Sequence, residues 1–192
     1  MKYYQEISLL RDARIGLYDF WENFYPQIHL ALVENKSGEN SSSIGVAFPE
    51  YDADAFLLGS KLRLFAKDAQ ELEKLQLERW LNRLSDYICI SAIQPVPEQV
   101  EGYACFKHVK PNGSREKMAR RRAKRNGESL EQALSYFDGY QEERSGLPFI
   151  HMQSESNGHR FRLFIEQQIK VSPYKGSFSC YGLSRVTTVP IF

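Results

Sequence analysis

The period of the apolar positions changes along this chain, and each change marks an element. Tyr3 to Leu10 (Tyr-Tyr-Gln-Glu-Ile-Ser-Leu-Leu) reads as a strand. Over residues 16–34, Leu17, Phe20, Trp21, Phe24, Ile28 and Leu32 recur at helical spacing. Pro26 interrupts that pattern, which predicts a kinked helix or one that starts again. Lys36 to Ser43 reads as a polar loop, and Ile44–Phe48 and Lys61–Ala66 read as strands. Asp68 to Tyr87 is helical in pattern, in one or two pieces, and Ile88–Ile93 is a strand. The order β-α-β-β-α-β is that of the ferredoxin-like (RRM-like) split unit. Gln94-Pro95-Val96-Pro97-Glu98 reads as a linker.

The second half opens with a strand, Tyr103 to Val109. Two helices follow, then three strands at Pro148–Gln153, Arg160–Val171 and Ser177–Leu183. The expected fold is α+β: a ferredoxin-like domain over 1–94, a linker over 95–101, and an α+β domain over 102–192 that carries an arginine-rich helix at about 115–126. The bounds of that helix are local. Asn112-Gly113-Ser114 is a turn ending in an N-cap, Glu116 suits the first turn, and Gly127 is a stop. Ser129-Leu130-Glu131-Gln132 fits a capping box for the next helix.

Charge changes the picture. Nine of the twenty residues from Lys107 to Asn126 are Lys or Arg and only Glu116 is acidic, whereas the whole chain of 192 residues is nearly neutral at +1. A segregated basic segment on an acidic body points to a local polyanion-binding surface, and nucleic acid is the polyanion that fits best. Lys107, Lys110, Lys117, Arg120, Arg121, Arg122, Lys124 and Arg125 are its candidate contacts. Arg121 and Arg125 lie one turn apart, flanked by Lys117 and Lys124, and the segment itself lacks the acids to pair them. Phosphates would relieve the repulsion.

Hydrophobic residues make up 42% of the chain, enough for a core. The N-terminal residues carry no apolar signal segment, and no apolar run approaches the roughly 20 residues of a membrane span. Cys89, Cys105 and Cys180 fall in strand-like runs without CxxC spacing, which predicts buried, reduced thiols and a cytoplasmic protein. The four histidines share no metal-ligand spacing, and no Walker loop or GxSxG elbow is present. Taken alone, His29 fits a structural histidine better than a catalytic one. Hydroxyls at loop and strand ends, with one imidazole, are also a set that can cleave RNA without metal.

The chain resembles the type I-F (Csy-type) CRISPR RNA-processing endoribonucleases of the RAMP superfamily. The resemblance is carried by His29–Val33, Ile44–Pro49, the Arg-rich helix, Ser154-x-Ser156-x-Gly158-x-x-Phe161-Arg162-Leu163-Phe164-Ile165, and Cys180-Tyr181-Gly182-Leu183-Ser184. It implies His29, Ser154 and Tyr181 as catalytic residues. Phe161 would stack at the base of the RNA stem, Arg121 and Arg125 would enter the hairpin groove, and Arg120 and Arg122 would touch phosphates. His108-Val109-Lys110 stands where the family has Arg-Val-Gln, so His108 and Lys110 take the place of the base readers. The implied activity needs no cofactor. It is cleavage at the 3′ base of the repeat hairpin, leaving 2′,3′-cyclic phosphate and 5′-OH ends, with the product held in a type I-F surveillance complex beside other subunits. The alternatives are a catalytically silent hairpin-binding subunit and a generic RNA-binding protein.

Overall fold

β1 (Tyr3–Leu9) buries Gln5 and Ile7 on one face. It lies at the centre of the first sheet of the computed structural model, which describes residues 1–10, 15–55, 57–111, 113–140, 146–154 and 157–192. α1 (Leu17–Glu34) follows as one helix that runs through Pro26 without a restart. A helix-interior proline costs about 3 kcal/mol. Phe20, Trp21, Phe24, Tyr25 and Ile28 are buried on both sides of it, at about 1.5–3 kcal/mol per large side chain, so packing outweighs the break.

β2 (Ser41–Ser42), β3 (Gly45–Ala47), β4 (Lys61–Ala66), α2 (Ala69–Glu73), α3 (Leu77–Leu81), a 3₁₀ turn (Asn82–Leu84), β5 (Ile88–Ile90) and β6 (Gln94–Pro95) complete the N-terminal half. The segment expected to be helical over 68–87 breaks at Gln76, whose φ is 48°. The main path of the sheet is β3-β4-β1-β5, antiparallel at every step, and β6 adds to the start of β1. Cys89 corrects one expectation. It alternates with buried Ile88 on β5 and is exposed, whereas Cys105 and Cys180 are buried.

β7 (Gly102–Val109) opens the second half, and α4 (Arg115–Asn126) and α5 (Leu130–Tyr136) follow. β8 (Phe149–Gln153), β9 (Arg160–Lys170), β10 (Phe178–Ser179) and β11 (Val189–Ile191) close the chain. The second sheet runs β11-β7-β9-β8, and β10 pairs with β2. One core joins the two sheets, with Ile7, Val46, Leu64 and Ile28 in the same cluster as Phe106, Ile150, Leu163 and Ile165. The strand expected over 177–183 pairs only at Phe178–Ser179, because Gly182 turns the chain at φ 69°.

The chain divides into two compact units, Met1–Val109 with Leu147–Phe192, and Lys110–Gly146. Residues 95–101 belong to the first unit, where the Val96 N–H donates to the Lys2 carbonyl. The second unit is the α4–α5 pair. Ser114 Oγ accepts from the Lys117 N–H, Gly127 adopts φ 68°, and Ser129 and Gln132 form the reciprocal capping box. Ala119 and Ala133 are fully buried there, small enough for close helix approach. Asn112 of the expected turn lies outside the described residues.

Candidate active site and nucleic-acid interface

Tyr181 is held by its backbone. The Tyr25 hydroxyl donates to the Tyr181 carbonyl at 2.8 Å. The Val46 N–H donates to the Gly182 carbonyl, and the Ser184 N–H to the Phe106 carbonyl. Helix α1 and strands β3 and β7 therefore all grip one turn. Gly182 is required twice, by its positive φ and because a Cβ there would sit 2.3 Å from Val46 Cγ2.

The result is a face-to-face pair. The His29 and Tyr181 rings stack with centroids 4.0 Å apart and planes 3° from parallel. His29 Nδ1 lies 2.9 Å from the Cys180 carbonyl oxygen. A carbonyl only accepts, so Nδ1 carries the proton and the neutral ring has its basic lone pair on Nε2. Burial pushes the Tyr181 phenol pKa up, with Cys180 adding to the shift, so Tyr181 stays a protonated donor at neutral pH. The fully buried Tyr25 phenol is raised further by the same desolvation.

His108 on β7 also faces this turn, its ring 6.5 Å from that of Tyr181. Ser154 begins the turn between β8 and β9, where its N–H donates to the His159 carbonyl and its carbonyl accepts from the Gly158 N–H. It follows β8, the strand packed on α1, which carries His29. Glu155 and Ser156 of the same motif lie outside the described residues. Phe161 on β9 is opposite Met152 and packs its ring partly against the core. Lys107 is paired across strands with Glu166 at 2.8 Å, and that lysine holds the Glu166 carboxyl below its usual pKa. Among the described residues, no three of His, Cys, Asp and Glu cluster as a metal site would require.

The basic helix separates into two sets of side chains. Arg115 bonds Asp138 and the Leu134 carbonyl, and Arg120 pairs with Glu116 one turn back. Arg122 meets Glu128 at 2.7 Å and lies 3.7 Å over the Tyr136 ring. The expectation that the helix lacks pairing acids is thus corrected for these three: Asp138 and Glu128 arrive from beyond the basic window for Arg115 and Arg122, and Glu116 of the helix itself takes Arg120. Lys117, Arg121, Lys124 and Arg125 are exposed, and no described carboxylate forms an ion pair with any of them. Lys110 is exposed too.

The family model described as "CRISPR-associated protein (Cas_Csy4)" matches residues 4–192. The chain belongs to the Cas_Csy4 family. Two relatives carry the description "CRISPR-associated endonuclease Cas6/Csy4". The one from Escherichia coli (strain UTI89 / UPEC) is 33% identical over 193 residues, and the one from Pseudomonas aeruginosa (strain UCBPP-PA14) is 31% identical over 193; each match spans 100% of both proteins. A solved structure described as "An RAMP protein binding different RNA substrates" aligns with 98% of this chain at 11% identity and a TM-score of 0.36, too loose a superposition to carry an argument.

Within this Cas_Csy4 chain, sequence reasoning missed the parts that hold the candidate groups. Tyr25, the Cys180 carbonyl, Glu128 and Tyr136 were not foreseen. A signal existed for Tyr25: it lies four residues before His29, on the same face of α1. The others depend on contacts between distant segments.

Proposed function

We propose that the protein is an endoribonuclease that processes CRISPR precursor RNA, cutting at the 3′ base of each repeat hairpin without a metal. The observation that carries this reading is the His29–Tyr181 pair, an imidazole whose tautomer and plane are both set. His29 Nε2 takes the proton of a ribose 2′-OH. The 2′-oxygen attacks phosphorus, the P–O5′ bond breaks, the leaving 5′-oxygen takes up a proton from the imidazolium or from water, and the ends are a 2′,3′-cyclic phosphate and a 5′-OH. Tyr181 fixes the imidazole plane by stacking, and Ser154 positions the ribose. Phe161 stacks at the base of the stem, while His108 and Lys110 contact base edges or phosphate near the cut.

We assign hairpin binding first to Lys117, Arg121, Lys124 and Arg125. Arg120, Arg122 and Lys107 join them only by exchanging the carboxylates they hold in the free protein. Because cleavage at the stem base removes only flanking strand, the product hairpin stays bound, and the protein serves as a subunit of a type I-F surveillance complex in the cytoplasm. The sheet order β3-β4-β1-β5 supports reading residues 1–94 as a ferredoxin-like unit, and 102–192 as the RNA-binding half. Among the described residues, no helix is long and apolar enough to cross a membrane.

The test is cleavage of a repeat hairpin in excess chelator, with the ends of both products mapped. Cyclic phosphate and 5′-OH ends are expected. No cleavage, with tight binding, would favour the catalytically silent subunit. With hairpin in excess, one equivalent should be cut in a burst and then stop; steady turnover would contradict product retention.

A further inference from the structure

A cavity of about 440 Å³ lies in the first unit, lined by none of the residues of the His29–Tyr181 turn. It opens where the start of β1, the end of β4, the β6–β7 connection and the 173–176 loop meet. Lys2, Lys67 and Lys175 reach it from three separate segments. Among the described residues, none of the three has an ion-pair partner. Glu98 is the one acid on the lining. This is out of keeping with the rest of the body, since outside residues 107–126 the chain has sixteen Lys and Arg against twenty-three Asp and Glu. All three lie close enough to the Met1 amino group to act on it. Burial first, then Lys67, Lys175 and Lys2, lowers the pKa of the Met1 amino group in the same cavity.

The walls are not simply polar. Tyr103 and Tyr174 line the cavity along with Pro97, Pro173 and Pro190. The frame is hydrogen-bonded: Tyr174 N–H donates to Thr188 Oγ1 at 2.9 Å, Thr188 N–H donates back to the Tyr174 carbonyl, and Lys2 N–H donates to the Ala66 carbonyl. Three converging ammonium groups beside tyrosine rings match one ligand chemistry, phosphodiesters joined to stackable bases. An acidic peptide would satisfy the lysines but leave the rings without a matching partner.

We propose that this cavity is a second RNA site, which takes single-stranded nucleotides flanking the repeat hairpin. The choice of RNA rests on the proposed RNA-processing function. Tyr103 and His108 stand at opposite ends of β7, five residues or about 17 Å apart. Their odd spacing puts the two side chains on opposite faces of the sheet, so a flank that reaches the cavity from the cleavage site rounds the sheet edge and spans more than that distance. The 5′ and 3′ flanks share this chemistry, and the experiment separates them.

Three RNAs are compared: the bare hairpin, the hairpin with a short 5′ oligouridine flank, and the hairpin with a 3′ flank made uncleavable by a 2′-deoxy ribose at the cut. Affinities are measured at 50 and 200 mM salt for the wild type and for Lys2→Gln/Lys67→Gln/Lys175→Gln. One flanked RNA should bind the wild type more tightly than the bare hairpin. Three lost contacts, at about 0.7 each for single strands, should lower its log–log salt slope by about 2, so the flank's advantage is worth about 20-fold less at the higher salt. The triple variant should lose that advantage and bind the bare hairpin as before. In the wild type, 4-thiouridine in the productive flank should crosslink to Tyr103 or Tyr174 on irradiation, which reports on the site even if the variant folds poorly. Neither flank adding affinity, the variant keeping the advantage, or polyglutamate rather than oligouridine competing would overturn the proposal. Loss of bare-hairpin binding by the wild type would instead overturn the proposed function.

Discussion

The turn at Tyr181 and the helix at Arg121 meet opposite physical demands. Tyr181 sits in the first unit, where three hydrogen bonds to the backbone, one from the Tyr25 hydroxyl of α1 and two with β3 and β7, converge on five residues. The turn is tightly held, as suits a proton transfer that depends on ring plane and tautomer. Lys117, Arg121, Lys124 and Arg125 project from a helix in the second unit, and no described carboxylate forms an ion pair with them. Their mutual repulsion is a standing demand for phosphate. Fixed geometry serves chemistry here, and unsatisfied charge serves binding. Arg115 and Arg122 stand between the two cases, as cations spent on holding α4 to α5.

Substitution at Gly182 should break the comparison most severely. Gly182→Ala puts a Cβ into Val46 and a side chain at positive φ, costing about 2–4 kcal/mol of stability. Thermal unfolding should record that loss, and cleavage should fall at least tenfold as the Tyr181 turn shifts. Adding Val46→Ala should recover part of both. Unchanged unfolding in the single variant would mean the turn is softer than its contacts imply.

Next comes Arg121→Ala with Arg125→Ala. Two lost phosphate contacts should reduce the log–log salt slope of hairpin binding by about 1.4–1.8. At saturating protein the single-turnover rate should barely change. A large rate defect under saturation would show that the helix also organises the chemistry.

Arg122→Ala should do the reverse. It removes a partly exposed ion pair and a cation–π contact, together about 1–2 kcal/mol after solvent screening. Hydrogen exchange should speed up across α4 and α5 while the salt slope of binding changes less than for Arg121→Ala. An equal slope change would make Arg122 a direct phosphate contact.

The smallest effect is expected of Tyr181→Phe, which keeps the stacking face and loses only the hydroxyl. The raised phenol pKa means this group stays protonated through its ordinary value of 10.0, so it adds no ionisation limb to the pH–rate profile below that pH. A rate loss of about tenfold or less is expected; a loss as large as that of a missing general base, about 10²–10⁴-fold, would make the hydroxyl a participant.

What the sequence revealed follows the same division. The α4 helix was legible to its ends because Ser114 and Gly127 act on their own neighbours. β1, β4 and β9 were legible because their lengths display a pattern. β2, β6 and β11 are two or three residues long, too short to show a period. The continuity of α1 through Pro26 depends on what packs against it, and Glu128 and Asp138 become partners only when α5 folds back on α4. His29 and Tyr181 could be named from family motifs. Their stacking could not, because it is produced by contacts among residues 25, 46, 106 and 182.

The central claim is that the His29 imidazole performs the chemistry and the basic helix holds the RNA. The direct measurement is His29→Ala in excess chelator, with the single-turnover cleavage rate and the hairpin Kd taken on the same preparation. Cleavage should fall by about 10²–10⁴-fold while Kd stays within a few-fold of the wild type. Cleavage at the wild-type rate, or a Kd that collapses along with it, would contradict the account.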